Sequence, residues 1–279
     1  GCFGWGHGSN PGRVLAKVGL PEKLLALLDD AEKAANGDPR ALAHVKRDRH
    51  LFQITLLKST KEFFRSYKEL TAFENSSPVI LDGKPNEAAW KQAEVYSSFV
   101  KHKKKSDAPD EMAALQTFVR VMYDQGNLWV FIEALENNPA GITNQRKPGE
   151  APWGDDSLEL FLTHPNFNGK YYHFAWTRNG AFYQAQTIPG SLDADTTIET
   201  DVEIKTQVLA DRWTAEIKIP VARLGQDCIV GHTWQINVAR NRKNLDGKNE
   251  QSSLAGGGFH GAFFPLSLAG KKAADISGL

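Results

Sequence analysis

The 279-residue sequence has little sulfur, no net charge and no long apolar run, and each shortage excludes a class of protein. Its two cysteines, Cys2 and Cys228, cannot form a disulfide framework, and neither lies at a metal-ligand spacing. Lysine plus arginine and aspartate plus glutamate both number 33, so no nucleic-acid partner is expected. No apolar run reaches the roughly 18 residues that a membrane span needs. Enzymes, binding modules and scaffold domains remain.

Motifs of common catalytic sites are also lacking. The sequence contains no Gly-x-Ser-x-Gly, His-Glu-x-x-His or Walker pattern. Glycoside hydrolysis needs two carboxyl groups set about 5 to 10 Å apart. Asp155, Asp156 and Glu159 are close in sequence, but a strand directs its side chains alternately and no second acidic block is indicated. The sequence therefore predicts that this chain is not an enzyme.

The first part of the sequence predicts two helices. Leucines and alanines recur at helical spacing between Pro21, which suits a first turn, and Gly37, which suits a C-terminal stop. Asp38 and Pro39 suit the cap and first residue of a second helix that runs to about Leu70. The short connection implies an antiparallel pair. Two helices bury too little surface alone, so we expect the pair to dock on another domain.

Beyond a polar linker the pattern changes to closely spaced strands. Turn residues between alternating segments predict hairpins at Asp124–Asn127, Arg178–Gly180 and Ala210–Arg212. Strands at this density without helices between them predict a mainly β fold, a two-sheet antiparallel β-sandwich of about ten strands. We assign this sandwich to residues 78–270 and the N-terminal antiparallel helix pair to residues 1–75.

A candidate site begins at Trp153, where a polar loop turns into a strand. The alternation predicts a half-buried strand with Leu158, Leu160 and Leu162 on one face and Ser157, Glu159 and Phe161 on the other. The preceding loop is rich in breakers, so Trp153 is expected to be exposed. An exposed indole beside carboxylates suits a sugar, because the CH face of a pyranose stacks on the ring while acids accept from its hydroxyls. The alternative is that Trp153 covers a sheet edge.

Four ordered segments resemble the successive signatures of carbohydrate-binding module family 9. They are Leu81–Trp90, Trp153–Phe161, Trp213–Pro220 and Trp234–Arg240, and the resemblance covers residues 78–269. It implies a jelly-roll β-sandwich and a non-catalytic module that binds an oligosaccharide or polysaccharide. Trp90, Trp213 and Trp234 occur at element starts within apolar patterns and are predicted to lie in the core.

In sugar-binding members the resemblance implies two tryptophans around a terminal sugar, a glutamate six residues after the first, and an arginine on a late strand. Trp153 and Glu159 keep that spacing. Arg240 and Arg242 lie two residues apart, on one face of the late strand, so either is a candidate donor. Leu254 stands where the second tryptophan is expected, so one of the two tryptophans that would enclose the sugar is absent. Asp156 and His173 complete the candidate carbohydrate-binding set.

The N-terminal helix pair resembles the C-terminal helical tail of a large bacterial family of uncharacterised glycosidase-like proteins. The two resemblances together imply a carbohydrate-binding module of a larger secreted, glycan-degrading protein, with an upstream domain of the same polypeptide as a second partner. They imply an extracellular or periplasmic location.

Other functions stay open on the sequence. Asp82 and Asp155 are hard oxygen ligands for a calcium ion, and the alternative is that they cap turns; no other cofactor is expected. Leu254 favours a structural module that has lost ligand binding. A haem-binding electron-transfer domain of the same fold would use Met122 and His173 as axial ligands.

Overall fold

The structure is a computed structural model that describes residues 20–38, 41–42, 45–46, 49, 69–102, 111–188, 194–245, 248–256 and 259–271. The chain divides into two compact units, Gly1–Tyr67 and Lys68–Leu279. None of the described helices is long and apolar enough to cross a lipid bilayer.

The first unit contains helix α1, Leu20–Ala34, which confirms the first predicted helix. Gly37 has a φ of 107°, a left-handed conformation that glycine adopts without strain, so the chain turns just beyond the helix. The Asp38 carboxylate accepts a hydrogen bond from the N–H of Ala41 at 3.1 Å, as a cap does. Most of the predicted second helix lies outside the described residues. Of that stretch, Arg49 forms ion pairs with α1.

The described residues of the second unit form one curled, 14-stranded sheet. Its strands are β1 Leu70–Glu74, β2 Val95–Tyr96, β3 Val100–Lys101, β4 Thr117–Tyr123, β5 Asn127–Leu135, β6 Ser157–Thr163, β7 Tyr171–Thr177, β8 Phe182–Thr187, β9 Ala194–Asp195, β10 Glu203–Val208, β11 Arg212–Pro220, β12 Thr233–Leu245, β13 Lys248–Ser253 and β14 Phe264–Ala269. One short helix, α2, covers Ala88–Gln92. The mainly β prediction is confirmed.

The sheet order is β10-β11-β5-β4-β1-β14-β12-β6-β7-β8-β9, with β13 paired to β12 and β3, and β2 paired to β4. The three predicted hairpins are β4–β5, β7–β8 and β10–β11. Strand β12 is the longest and pairs with β6, β13 and β14. This long strand therefore connects the β6–β9 half of the sheet to the rest.

The predicted boundary between helices and strands is displaced. The second helix was expected to run to about Leu70, whereas Leu70–Glu74 is strand β1. This strand pairs in parallel with β14 on one side and β4 on the other. Its partners are distant in sequence, and a five-residue segment carries too weak a local pattern to reveal them.

Strand β6 differs from its prediction in burial. Its residues from Ser157 to Leu162 are all buried, so the strand is covered on both faces rather than on one. The Leu158 face packs into the core, while other side chains of the sheet and the preceding loop cover the Glu159 face.

The core contains the tryptophans that were predicted to be there. Trp90, Trp213 and Trp234 are at most 1% exposed, which confirms the prediction. The indole N–H of Trp90 donates to Glu216 at 2.9 Å, and the same carboxylate accepts the N–H groups of Asp82 and Gly83 at 2.9 Å each. Glu216 thereby fixes the Leu81–Trp90 segment against β11.

Candidate functional site

Trp153 lies at the rim of the sheet, on a single 3-10 turn formed by Pro152–Gly154. It is 41% exposed, and it is the exposed one among the tryptophans that the structure describes. Its ring stacks on the His173 ring, with centroids 6.2 Å apart and planes inclined by 19°. It also meets the edge of the Tyr183 ring at 5.0 Å. The indole is therefore held in place by two rings and presents its remaining surface to solvent.

The turn that carries Trp153 is fixed by the two aspartates that follow it. Asp155 Oδ2 accepts the N–H groups of Gln145 and Arg146, both at 2.5 Å. Asp156 Oδ2 accepts the N–H of Thr143 at 2.8 Å, and its Oδ1 accepts that of Lys243 at 3.2 Å. Both aspartates are 2% exposed. They therefore tie the preceding loop to the start of β6.

These hydrogen bonds show where Asp156, which was predicted to bind a sugar, lies. Burial raises the pKa of its carboxyl group, although the two N–H donors and the nearby Arg240 act in the opposite direction. Its oxygens accept hydrogen bonds from the backbone N–H groups of Thr143 and Lys243. Asp156 therefore holds the loop in position and does not lie at the rim beside Trp153.

Glu159 is bonded to the His173 ring on which Trp153 stacks, and Glu159, His173 and Asn241 form a buried polar floor. His173 donates from Nε2 to Glu159 Oε2 at 2.6 Å, and Asn241 donates from Nδ2 to Oε1 at 2.5 Å. Ala175 and Ala239 stand directly opposite Glu159 on the two neighbouring strands. These small side chains leave the carboxylate to its two polar partners, and a carboxylate keeps further acceptor capacity beyond two hydrogen bonds.

Aromatic rings extend this floor across the sheet. His173 stacks on Phe161 with centroids 4.4 Å apart and planes inclined by 16°. His260 meets the edges of both rings, 5.0 Å from Phe161 and 5.3 Å from His173. Phe161 and Tyr171 also pack with Phe259 in one buried cluster. The face of the sheet that carries Glu159 is thus lined by rings from Trp153 to His260.

The structure does not bring Arg240 or Arg242 to this face. Ala239 is opposite Glu159, whereas Arg240 is opposite Leu158, so both arginines lie on the other side of the sheet. They are 2% and 3% exposed and share the carboxylate of Glu136. Arg242 binds it through Nε at 2.7 Å and Nη2 at 2.8 Å. The two residues do lie on one face, as predicted, but that face is the interior.

The two predicted calcium ligands make separate backbone contacts. Asp82 Oδ1 accepts the N–H of Lys84 at 2.8 Å, while Asp155 holds the loop before β6. Among the described residues no group of three or more His, Cys, Asp and Glu side chains could hold a metal ion. Asp82 bonds as a turn cap does, whereas Asp155 holds backbone groups nine and ten residues earlier, so the residues present do not fit a shared calcium ion.

In the described part of the chain, both candidate haem ligands make other contacts. Met122 is buried in a core cluster with Trp90 and Phe131. His173 hydrogen-bonds through Nε2 to Glu159 in the candidate carbohydrate-binding site. The haem alternative is not favoured.

Several site residues were missed by sequence reasoning. Asn241 is part of the floor, and Tyr183 contacts the exposed Trp153 ring. Gln251, at the edge of the site, donates from Nε2 to Asn241 Oδ1 at 2.8 Å. Placing Arg240 and Arg242 on one face already put Asn241 on the other, but the register of β12 against β6 was needed to choose between the faces. His260 lies in a loop after β13, and no sequence motif marks it as a site residue.

Comparison with known proteins gives a family. A profile of the family described as "Carbohydrate family 9 binding domain-like" matches residues 80–256, more than half of the chain. No curated protein matches the chain.

Solved structures share the fold. A family 9 carbohydrate-binding module from Caldicellulosiruptor kristjanssonii in complex with cellotriose is 17% identical, with a TM-score of 0.52, and the match covers 75% of this chain and 98% of that one. The same organism's module in complex with glucose is 16% identical, with a TM-score of 0.53 and coverages of 74% and 99%. A Bacteroides uniformis protein named for carbohydrate binding is 14% identical, with a TM-score of 0.57 and coverages of 72% and 99%.

Proposed function

Because the chain belongs to the carbohydrate family 9 binding domain-like family, whose domains are non-catalytic carbohydrate-binding modules, we propose that it binds a sugar at Trp153. The observation that carries this proposal is the exposed indole held over a buried polar floor. Sugar CH groups stack on the free surface of the ring, and hydroxyls bond to polar groups beside it.

The supporting rings favour binding because they fix Trp153 beforehand. His173 and Tyr183 both contact the indole, so little side-chain freedom remains to be lost when a ligand arrives. Glu159 is 3% exposed and hydrogen-bonds to His173 and Asn241, which are 5% and 0% exposed, so its role is to fix the His173 ring on which Trp153 stacks. Gln251, which is exposed at the edge of the floor, is available to hydroxyl groups.

A single stacking ring implies weak binding. Leu254 is 2% exposed and makes a backbone hydrogen bond to Val238, so it provides no second wall. We expect dissociation constants in roughly the micromolar to millimolar range. The ligands of the two Caldicellulosiruptor structures, glucose and cellotriose, are the first probes.

Calorimetry on the wild type and Trp153→Ala tests the proposal. We expect the variant to lose at least about tenfold in affinity, because truncation of a central aromatic anchor costs about 2 kcal/mol or more and about 1.4 kcal/mol corresponds to tenfold. Ile80→Ala is the control: Ile80 is 70% exposed and lies outside the site, so its variant should bind as the wild type does. Both variants should melt within a few degrees of the wild type.

Two results would contradict the proposal. Equal affinity of Trp153→Ala and wild type would remove the ring from binding. A wild type that retains no sugar on a glycan array would favour the second candidate, a structural module that has lost ligand binding. The buried Leu254 favours that candidate, and the exposed Trp153 opposes it.

We place this module in a larger, secreted glycan-degrading protein, outside the cell or in the periplasm, with the N-terminal helices joined to an upstream domain. The resemblance of the helical segment supports this context. Fractionation of cells that produce the full-length polypeptide tests it, and recovery in the cytoplasm would refute it.

A further inference from the structure

A cationic side chain packs against the turn that carries Trp153. The guanidinium group of Arg146 lies over Gly154, the residue after Trp153, where a Cβ atom would be 2.7 Å from Arg146 Cζ and closer still to Nε and Nη2. Because Gly154 has no side chain, the guanidinium can approach the backbone of the turn this closely. Arg146 is exposed, so its charge lies at the rim beside the indole.

The two buried aspartates of this turn hold the backbone of Arg146 and of a second cationic residue, Lys243. The N–H of Arg146 donates to Asp155 at 2.5 Å, and its carbonyl accepts from Asn179 Nδ2 at 2.9 Å. The N–H of Lys243, near the end of β12, donates to Asp156 at 3.2 Å, and Lys243 is partly exposed. The fold therefore brings a cation from the loop before β6 and one from β12 to the same turn without a ligand.

The charges of these two side chains are not paired at the surface. Among the described residues, neither cationic group has a hydrogen-bonding or ion-pair partner. Asp155 and Asp156 are 2% exposed, and their oxygens accept backbone N–H groups. The exposed carboxylate of the loop, Glu150, accepts the N–H of Lys147 at 3.0 Å, and Lys147 itself adds another exposed cation. The surface beside the indole therefore presents more positive than negative groups.

We propose that the sugar bound at Trp153 carries a carboxylate, as a uronic acid does, and that Arg146 binds this group with Lys243 beside it. This inference rests on the proposed function of the Trp153 site. The sugar ring stacks on the indole, and its carboxylate accepts two parallel N–H groups from the guanidinium. The ammonium group of Lys243 adds a point charge of the same sign. A neutral sugar would use neither charge.

Calorimetry with glucose and glucuronate tests the effect of the charge. The two sugars differ at C6, where glucuronate has a carboxylate in place of the hydroxymethyl group. At low salt we expect the wild type to bind glucuronate roughly fivefold more tightly than glucose, the upper range for an exposed ion pair. Added salt should reduce this ratio, because it screens exposed charges. The ratio is the measured quantity, because damage to the Trp153 turn would lower both affinities together.

Charge-removing variants assign the preference to its residues. Arg146→Gln should reduce the glucuronate-to-glucose ratio to less than about twofold, and Arg146→Lys should keep part of it, because the charge remains while the paired N–H groups are lost. Lys243→Gln should reduce the ratio by less than Arg146→Gln does. Lys91→Gln is the matched control: it removes an exposed cation of α2, outside the site, and should keep the wild-type ratio.

The outcomes distinguish this inference from the site on which it rests. A wild type that binds glucose and glucuronate equally refutes the carboxylate and leaves Trp153 binding intact. A full preference for glucuronate in Arg146→Gln refutes the role of Arg146. Glucose 6-sulfate is a second anionic probe, and tighter binding of it than of glucuronate would assign the site to sulfated sugars instead. A wild type that binds none of the three sugars overturns this inference, and the glycan array then decides the Trp153 site separately.

Discussion

Replacing Glu136 by Gln tests whether the two late-strand arginines belong to the interior. Glu136 follows β5 and is 4% exposed. Its Oε2 accepts from Arg242 at 2.7 Å and Arg240 at 3.2 Å, and its Oε1 accepts from Arg242 at 2.8 Å. The amide keeps the shape of the side chain and removes its charge. The two buried guanidinium groups then lack the carboxylate that is their counter-ion in the wild type.

The expected cost is large for a single polar change. Removing one partner of a buried ion pair typically costs about 3 to 5 kcal/mol, because the remaining charge stays buried. At about 2 to 4 °C per kcal/mol for a unit of this size, the melting temperature should fall on the order of 10 °C. Arg240 already has its pKa lowered to about 10, by burial first, against the raising effect of Glu136. Loss of the Glu136 charge removes the effect that raises the pKa of Arg240 and so destabilises its buried, charged form.

Acidification gives an independent measurement. Burial alone would raise the pKa of Glu136, but the hydrogen bonds and charges of Arg242 and Arg240 lower it overall. A carboxyl group whose pKa is lower when folded adds stability above its unfolded pKa, about 4.3, and this is lost as the pH falls through the folded value. Glu136→Gln should therefore lose less stability than the wild type on acidification below pH of about 4.

Urea unfolding at neutral pH measures the effect, with Glu203→Gln as control. Glu203 pairs with Lys218 at 2.8 Å on the surface, where its side chain is 56% exposed, so its loss should cost at most about 1 kcal/mol. Equal stability of the two variants would refute the interior role of Arg240 and Arg242. An intact fold with weakened sugar binding would return these arginines to the binding site.

Two further substitutions test the loop that carries Trp153 and the position where a second tryptophan was expected. Leu254→Trp should cost about 1 to 3 kcal/mol in thermal unfolding without raising sugar affinity, because the side chain enters a filled core; tighter binding would show that this position faces the ligand. Asp155→Asn should cost about 1 to 3 kcal/mol, because a charged acceptor of two backbone N–H groups is weakened. It should also speed hydrogen exchange at Gln145 and Arg146, and unchanged exchange would contradict its role in holding the Trp153 turn.

Local signals predicted the parts of the fold that local contacts build. The Asn179-Gly180 pair marks the β7–β8 hairpin, and period-two alternation marks β6 and β12. Strand β13 was missed because Lys248–Ser253 is entirely polar. Strand β1 was missed because its parallel neighbours, β14 and β4, are far away in sequence.

The candidate site shows the same division. The exposure of Trp153 followed from its breaker-rich loop, and the common face of Arg240 and Arg242 followed from alternation. Which face that is depends on the pairing of β12 with β6, and a shift of one residue exchanges the two faces. No signal within β12 fixes that register, so the arginines were assigned to the sugar side.

Strand β12 shows why this register matters for the whole unit. Asn237, Ala239 and Asn241 lie on the Glu159 side, where they hold the His260 loop, leave room beside the carboxylate and complete the polar floor. Arg240 and Arg242 point to the other side and bind Glu136. Alternate residues of one strand therefore support two different properties. Substitution of Asn241 should act on ligand binding through Glu159, whereas substitution of its two arginine neighbours should act on the free energy of unfolding.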